Sequence, residues 1–318
     1  MKKFLIKILL FVLPILLIAI PLDFFISKNL KKSTTHAYGE YLVWNDIYSG
    51  QIDADIAIYG SSRSWVHISP EILEDSLNMS AYNFGIDALN FKFQYFRHQQ
   101  LLKYNKKPKM IIVSGDIFSF EKEEEFYNHE QILPYMLWNK DYYKNRKIFN
   151  GYNTLDFIIP LIRYTGKTQE LIHAFKLSAN IKNPHPMRIK GYMGMQRTWN
   201  SDLEKAKKEH GSLKIKIDQD LLNLFDKFLI ECKNNDIEVI LVYSPEYIEG
   251  QTFIENRDEI MNLWEGFSEK HNLLYLDYTQ DSMCYNRDYF YNATHLNKNG
   301  SEIFSAKLAE DIKTLRGR

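Results

Sequence analysis

Asp55-Ile56-Ala57-Ile58-Tyr59-Gly60-Ser61-Ser62-Arg63-Ser64 is a short apolar run that stops at a glycine and two serines. Ile56 and Ile58 suit a buried strand, and Gly60 lets the chain turn tightly enough to leave Ser62 facing outward at the strand's carboxyl end. Open α/β sheets keep their ligands at that edge. Many strands end in Gly-Ser-Ser, so the stretch gains its weight from a second one near the other end of the chain, Phe290-Tyr291-Asn292-Ala293-Thr294-His295-Leu296-Asn297-Lys298-Asn299-Gly300.

Outward from the first stretch, the pattern of strand, turn and helix repeats. Ser69-Pro70 opens a helix over Glu71 to Leu77, with Ser69 as N-cap and Pro70 at the first helical position. A short strand, Ala81 to Phe84, leads to Gly85. Asn90 to Tyr104 has helical 91/95 and 93/96 spacings, although Phe91, Phe93 and Tyr95 also alternate as a strand would. Met110-Ile111-Ile112-Val113 is a continuous apolar run of the sort a fully covered parallel strand shows, closed by Ser114-Gly115-Asp116. Later come a helix over Asp218 to Asn234, a strand Val239 to Tyr243, a helix Phe253 to His271, a strand Leu273 to Leu276 and a closing helix Lys298 to Leu315. This order predicts an α/β fold, a three-layer parallel sheet with helices on both faces. From Glu121 to about Lys216 the pattern is interrupted by charged, aromatic-rich sequence, read as a mostly helical insertion with helices over Leu155 to Tyr164, Thr168 to Leu177 and Ser201 to His210. Its aromatics, Tyr127, Tyr135, Trp138, Tyr142, Tyr143, Tyr152 and Trp199, suit either core or a carbohydrate platform.

The amino terminus is of another kind. Phe4 to Leu22 is apolar apart from Lys7 and, at nineteen residues, approaches the roughly 20 needed to cross a bilayer. No small-x-small cleavage site follows it, which favours an uncleaved transmembrane anchor over a signal peptide. The expected organisation is an anchor over residues 1–26, a polar stalk over 27–50 with a short helix from Ala37 to Val43, and an α/β domain over 51–318. Lysines flank the anchor on both sides and do not orient it.

Forty basic and forty acidic residues leave a formal charge of zero, so no global field draws the chain to nucleic acid. Cys232 and Cys284 lack zinc-ligand spacing; they read as buried thiols or a single bridge. Gly166-Lys167-Thr168 is not a P-loop, since Leu161 stands where its first glycine belongs. Gly191-Tyr192-Met193-Gly194 lacks the third glycine of a dinucleotide fingerprint. No histidine pair has HExxH spacing, so neither a metal nor another cofactor is implied.

Ser62 and His295 both fall where a loop meets a helix at the expected carboxyl edge. A serine hydroxyl attacks only when an imidazole takes its proton, and the imidazole needs an acceptor behind it. On these residues the sequence resembles the SGNH (GDSL-like) hydrolases. Within that superfamily it resembles the membrane-anchored members that work beside membrane-bound O-acyltransferases, the group of the D-alanyl transfer protein of teichoic acids and the alginate acetylation proteins. By resemblance, Gly60-Ser61-Ser62 is block one with Ser62 as nucleophile, and Asn83-Phe84-Gly85 is block two with Gly85 donating its amide to the oxyanion. Asn292-Ala293-Thr294-His295 stands for the Asp-x-x-His of block five. Val113-Ser114-Gly115-Asp116 stands for the Gly-x-Asn-Asp of block three.

Two departures matter. Asn292 accepts a hydrogen bond but carries no charge, so Asp288 or Asp277 is the alternative source of a carboxylate. Asp116, when ionised, cannot donate, which leaves the oxyanion hole to the amides of Ser62 and Gly85. Each residue also has a plainer reading: His295 as a helix-capping residue, Gly85 as a positive-φ position, Asn292 as a turn residue, and Arg63 as a salt-bridged structural arginine rather than a substrate ligand. The resemblance implies a membrane-anchored esterase or O-acyltransferase acting on acetyl or other acyl groups of a cell-envelope or exported polysaccharide. Its place would be the cytoplasmic (inner) membrane, single-pass, with the large domain extracytoplasmic and a membrane-bound O-acyltransferase as partner. The rival expectation is an accessory or glycan-binding protein that keeps the fold without turnover.

Overall fold

The computed structural model describes residues 2–87, 91–122, 128–179 and 185–317; Asn90 and Tyr127 lie outside them. In chain order the elements are α1 (Lys2–Leu30), α2 (Glu40–Ser49), β1 (Ile56–Gly60), α3 (Ser62–His67), α4 (Pro70–Leu77), β2 (Ala81–Asn83), α5 (Phe91–Tyr104) and β3 (Met110–Gly115). They continue as α6 (Leu133–Met136), α7 (Lys140–Lys144), α8 (Thr168–Ser178), α9 (Asp202–His210), α10 (Gln219–Asn234), β4 (Glu238–Tyr243), α11 (Ile248–Gln251), α12 (Arg257–His271), β5 (Leu274–Asp277) and α13 (Lys298–Arg316).

Two compact units divide the chain: residues 46–124 with 188–318, and residues 1–45 with 125–187. The first holds a five-stranded sheet, all neighbours parallel, in the order β2-β1-β3-β4-β5. The register sets Ile58 beside Ile112 and Ile112 beside Ile240, so the central strands present matching aliphatic rows to each face. On one face Ile58, Ile112, Ile240 and Val242 pack with Leu73 of α4 and Phe304, Leu308 and Ile312 of α13. On the other, Tyr59 meets Phe228 of α10, while Phe91 of α5 and Trp264 of α12 both meet Phe225. The expected three layers are therefore present. The strand order reverses between β1 and β3, and the crevice outside their carboxyl ends is the usual ligand position of such a sheet.

The second unit corrects the expected stalk. α1 continues to Leu30, and α2 begins at Glu40 rather than Ala37, with Tyr41, Val43 and Trp44 fully buried. Trp44 Nε1 donates to Gln131 Oε1 at 3.0 Å and its ring lies against Tyr142. The flanking Lys, Ser and Thr gave these residues a polar look, but their three-residue spacing makes one buried helical face. The excursion from the sheet is also shorter than 121–216. Lys190 O accepts the N–H of Asn83 at 2.9 Å, so the chain is already back beside β2 there. Leu155 to Tyr164 is not one helix: tight turns over Thr154–Phe157 and Ile162–Tyr164 flank Pro160 and Leu161, whose φ is +69°. Proline removes a donor and crowds the preceding turn, which is reason enough for the break. Cys232 and Cys284 are free and buried, so no bridge joins them.

α1 holds an 18-residue stretch, Leu13–Leu30, apolar enough to cross a membrane by length and composition. Pro14 and Pro21 lie within the helix.

Candidate active site

β1 delivers the first component. At Gly60, φ is +144° and an added β carbon would lie 2.6 Å from Ser114 O, so only glycine makes this exit from the strand without strain. Ser61 then caps α3, its Oγ accepting the N–H of Arg63 at 3.1 Å and donating to Asp116 Oδ2 at 2.7 Å. That second bond crosses from the end of β1 to the end of β3. Ser62 consequently starts α3 half-buried, with its hydroxyl 2.8 Å from Nε2 of His295.

The histidine comes from the loop before α13, which is folded around one carboxamide oxygen. Asn292 Oδ1 accepts the N–H of Thr294 at 3.1 Å and the N–H of His295 at 2.9 Å. The same oxygen lies 3.1 Å from Nδ1 of His295 and 3.3 Å from Thr294 Oγ1, which is itself 3.0 Å from Nδ1. With the proton on Nδ1 shared between these two oxygens, Nε2 is left as an acceptor facing the Ser62 hydroxyl. Four donors around one amide oxygen exceed its two lone pairs, and a carboxylate would serve the same loop better. Asn297 caps α13 behind the loop, accepting the N–H of Gly300 at 3.0 Å.

The imidazole is held neutral. Burial is the main influence that lowers the His295 pKa to about 4; Arg63 and Arg197 push the same way, while the Asp116 carboxylate opposes them. The Tyr291 ring stacks on the imidazole at 5.3 Å between centroids. A neutral Nε2 is the form a general base needs, although a carboxylate behind Nδ1 would make it a stronger one.

A second histidine braces the arrangement. His67, at the end of α3, is fully buried, with Nδ1 2.9 Å from Ser244 Oγ and Nε2 accepting the N–H of Leu296 at 3.0 Å. Burial, then the charge of Arg63, holds its pKa well below the ordinary value, which keeps Nε2 an acceptor. One helix thus carries both the Ser62 hydroxyl and the group that pins the residue after His295.

No protein-family model matches the chain, and no curated protein matches it. Solved structures do. An acetyl xylan esterase is similar at 12% identity and a TM-score of 0.40, over 82% of this chain and 98% of that one. A GDSL-like lipase from Bacteroides thetaiotaomicron is similar at 12% identity and a TM-score of 0.35, over 86% of this chain and 96% of that one.

Several sequence expectations need correction. Gly85 does not offer a free amide: its N–H donates to Asn83 Oδ1 at 2.9 Å, and Asn83 Nδ2 in turn binds the carbonyls of Ser64 and Ile68. Gly85 is also not a positive-φ position; a β carbon there would come 2.8 Å from Trp65 N, so close approach to α3 is what excludes a side chain. The Ser62 N–H has no acceptor among the described residues. Asp116 is no oxyanion donor, because its carboxylate accepts from Ser61 Oγ and from the N–H of Phe118 at 3.0 Å. It acts on the site as a nearby negative charge.

Arg63 is not a substrate ligand. It is buried, pairs with Glu246 Oε1 at 2.8 Å, donates to Ser244 Oγ at 3.0 Å and lies over the Tyr243 ring. Asp288 is exposed and bonded away from the Nδ1 side, its backbone N–H donating to Asn286 Oδ1 at 3.0 Å and its carbonyl accepting from Asn297 Nδ2 at 2.7 Å. The Asp277 carboxylate is likewise engaged locally, by the N–H of Thr279 at 2.8 Å. The part of His67, Ser61 and Thr294 was missed. Their only sequence signal is position: His67 ends the helix that Ser62 starts, Ser61 precedes Ser62, and Thr294 precedes His295.

Proposed function

We propose that this protein is a membrane-anchored serine esterase or O-acyltransferase acting on acyl groups, acetyl by resemblance, of a cell-envelope or exported polysaccharide. The observation that carries this reading is the 2.8 Å hydrogen bond from the Ser62 hydroxyl to His295 Nε2, backed by Asn292 Oδ1 on Nδ1. Ser62 Oγ attacks the ester carbonyl as its proton passes to Nε2. The tetrahedral oxyanion rests on the Ser62 N–H, and its collapse expels the sugar alkoxide, which takes the proton back from Nε2. Water or a second hydroxyl, deprotonated by the same nitrogen, then receives the acyl group from Ser62 and restores the serine. The protein would be single-pass in the cytoplasmic (inner) membrane with its large domain outside, next to a membrane-bound O-acyltransferase. No cofactor is required for this chemistry.

A second reading has specific support. The neutral Asn292 behind His295 and the Gly85 amide already bonded to Asn83 suit an accessory, glycan-binding protein with little or no turnover. Release of acetate from an O-acetylated polysaccharide by the full-length chain in detergent, against its Ser62→Ala variant, separates the two. The esterase reading expects release that the variant abolishes. Equal release from both, or polysaccharide binding without release, favours the accessory reading.

A further inference from the structure

We propose that the unit formed by residues 1–45 and 125–187 is seated on the bilayer through an apolar face of its own, beyond the single crossing by α1. The inference rests on the reading of α1 as a membrane anchor. From Phe4 to Leu22 an α-helix rises about 28 Å, close to the ~30 Å hydrocarbon thickness, so the bilayer surface falls near Leu22 and Asp23. At that level α1 stops being free-standing. Asp23 accepts both guanidinium nitrogens of buried Arg163 at 2.7 Å and the N–H of Leu161 at 2.7 Å, while Ile26 and Leu30 continue the same buried stripe.

The other side of the helix carries Phe24 and Phe25, and these continue into exposed apolar groups of the same unit. Phe24 meets Trp138 at 6.0 Å and Phe25 meets Phe175 of α8 at 5.4 Å. Trp138 is 51% exposed, Leu155 50% and Phe175 52%, and Ile158, Ile159 and Ile172 are exposed beside them. Trp138 Nε1 donates to Ile158 O at 2.7 Å, which fixes the indole against the 155–161 turn. Apolar exposure on this scale in one small unit needs a cover. The segment that carries it is joined to the membrane helix at the level where the helix leaves the hydrocarbon. Tryptophan is the residue most suited to that depth. A lysine-lined cleft, with Lys28, Lys31 and Lys32 beside Phe24 and Trp138, adjoins the patch and suits lipid phosphates. The occupant is therefore the interfacial layer of the bilayer that α1 crosses.

The test uses the full chain reconstituted in phosphatidylcholine and phosphatidylglycerol vesicles whose acyl chains are brominated near the headgroup. Trp138 emission is read as the difference between wild type and Trp138→Tyr, and Phe175→Trp supplies a second reporter on α8. The expected result is a blue-shifted Trp138 component quenched about twofold by the shallow bromines, with the Phe175→Trp reporter quenched alike. Unquenched reporters in a chain that resists alkaline carbonate extraction overturn the seating while leaving the anchor intact, and point to a protein partner on this face. Loss of the chain from the vesicles in carbonate overturns the anchor and the seating together.

Discussion

His67 Nε2 accepts the backbone N–H of Leu296 at 3.0 Å, tying the helix that starts at Ser62 to the loop that carries His295. The bond spans 229 residues of sequence and holds the hydroxyl and the imidazole in register. His67→Ala leaves that N–H and Ser244 Oγ facing a cavity, and the cost is about 2–4 kcal/mol of stability. Esterase kcat should fall by about tenfold or more with KM little changed, since a misplaced base loses transition-state rather than ground-state binding. Thermal unfolding and steady-state kinetics on a soluble ester check both; unchanged kcat in a folded variant counts against the bracing role.

Asn292→Asp should be a gain-of-function change. A carboxylate takes the same donors from Thr294, His295 N and Nδ1 and adds a charge behind the imidazole. The acid limb of activity, set near pH 4 by the lowered His295 pKa, should move toward neutrality. The rate should rise on the order of ten- to a hundredfold above the new limb. A pH profile of kcat/KM for both proteins reads this directly, and an unmoved limb would mean that His295 is not the base.

Stability should depend on pH in one direction. His67 and His295, and likewise His98 with a pKa near 4, titrate below the ordinary histidine value of about 6.5 because burial disfavours their charged forms. Between those values the unfolded chain binds protons that the folded chain refuses. Their contribution is therefore fully present above about pH 6.5 and is lost as the pH falls toward 4. The melting temperature should be flat from pH 7 to 8 and decline below about 6.5; a rise on acidification would contradict the assignment.

Arg63→Met should unfold the protein more readily rather than weaken substrate binding. The change leaves Glu246 with Arg257, at 2.6 Å, and the Tyr243 hydroxyl, at 3.5 Å, and removes the bonds to Ser244. Breaking a buried pair from one side costs about 3–5 kcal/mol. Denaturant titration should show that loss, while KM on a small soluble ester stays within about twofold.

Much of the α/β unit was legible because its strands are continuous apolar runs and its helices carry a clear 3.6-residue period, as at Met110 to Val113 and Leu221 to Leu229. Ser62, Asn292 and His295 could be paired because a strand-end serine and a pre-helical histidine have positions that the topology brings to one edge. What was lost follows from the same logic. Tyr41 and Trp44 bury against partners about ninety residues away, Glu130 and Gln131, so nothing local marked α2 as a core helix. The Gly85 amide was misread because sequence does not say that a side chain two residues earlier folds back to occupy it. Arg63 follows Ser62 in sequence and Asp116 follows the neighbouring strand, yet both work through buried pairing and charge, and only three-dimensional partners distinguish that from contact with substrate.

The central claim is that Ser62 is a nucleophile activated by His295. Incubation of the full-length protein with a fluorophosphonate probe tests it most directly. The account predicts one covalent label per chain, mapped to Ser62 by peptide mass, slowed by at least about a hundredfold in His295→Ala and absent from Ser62→Ala. A correctly folded wild-type chain that takes no label, or labels equally well without Ser62, would contradict it.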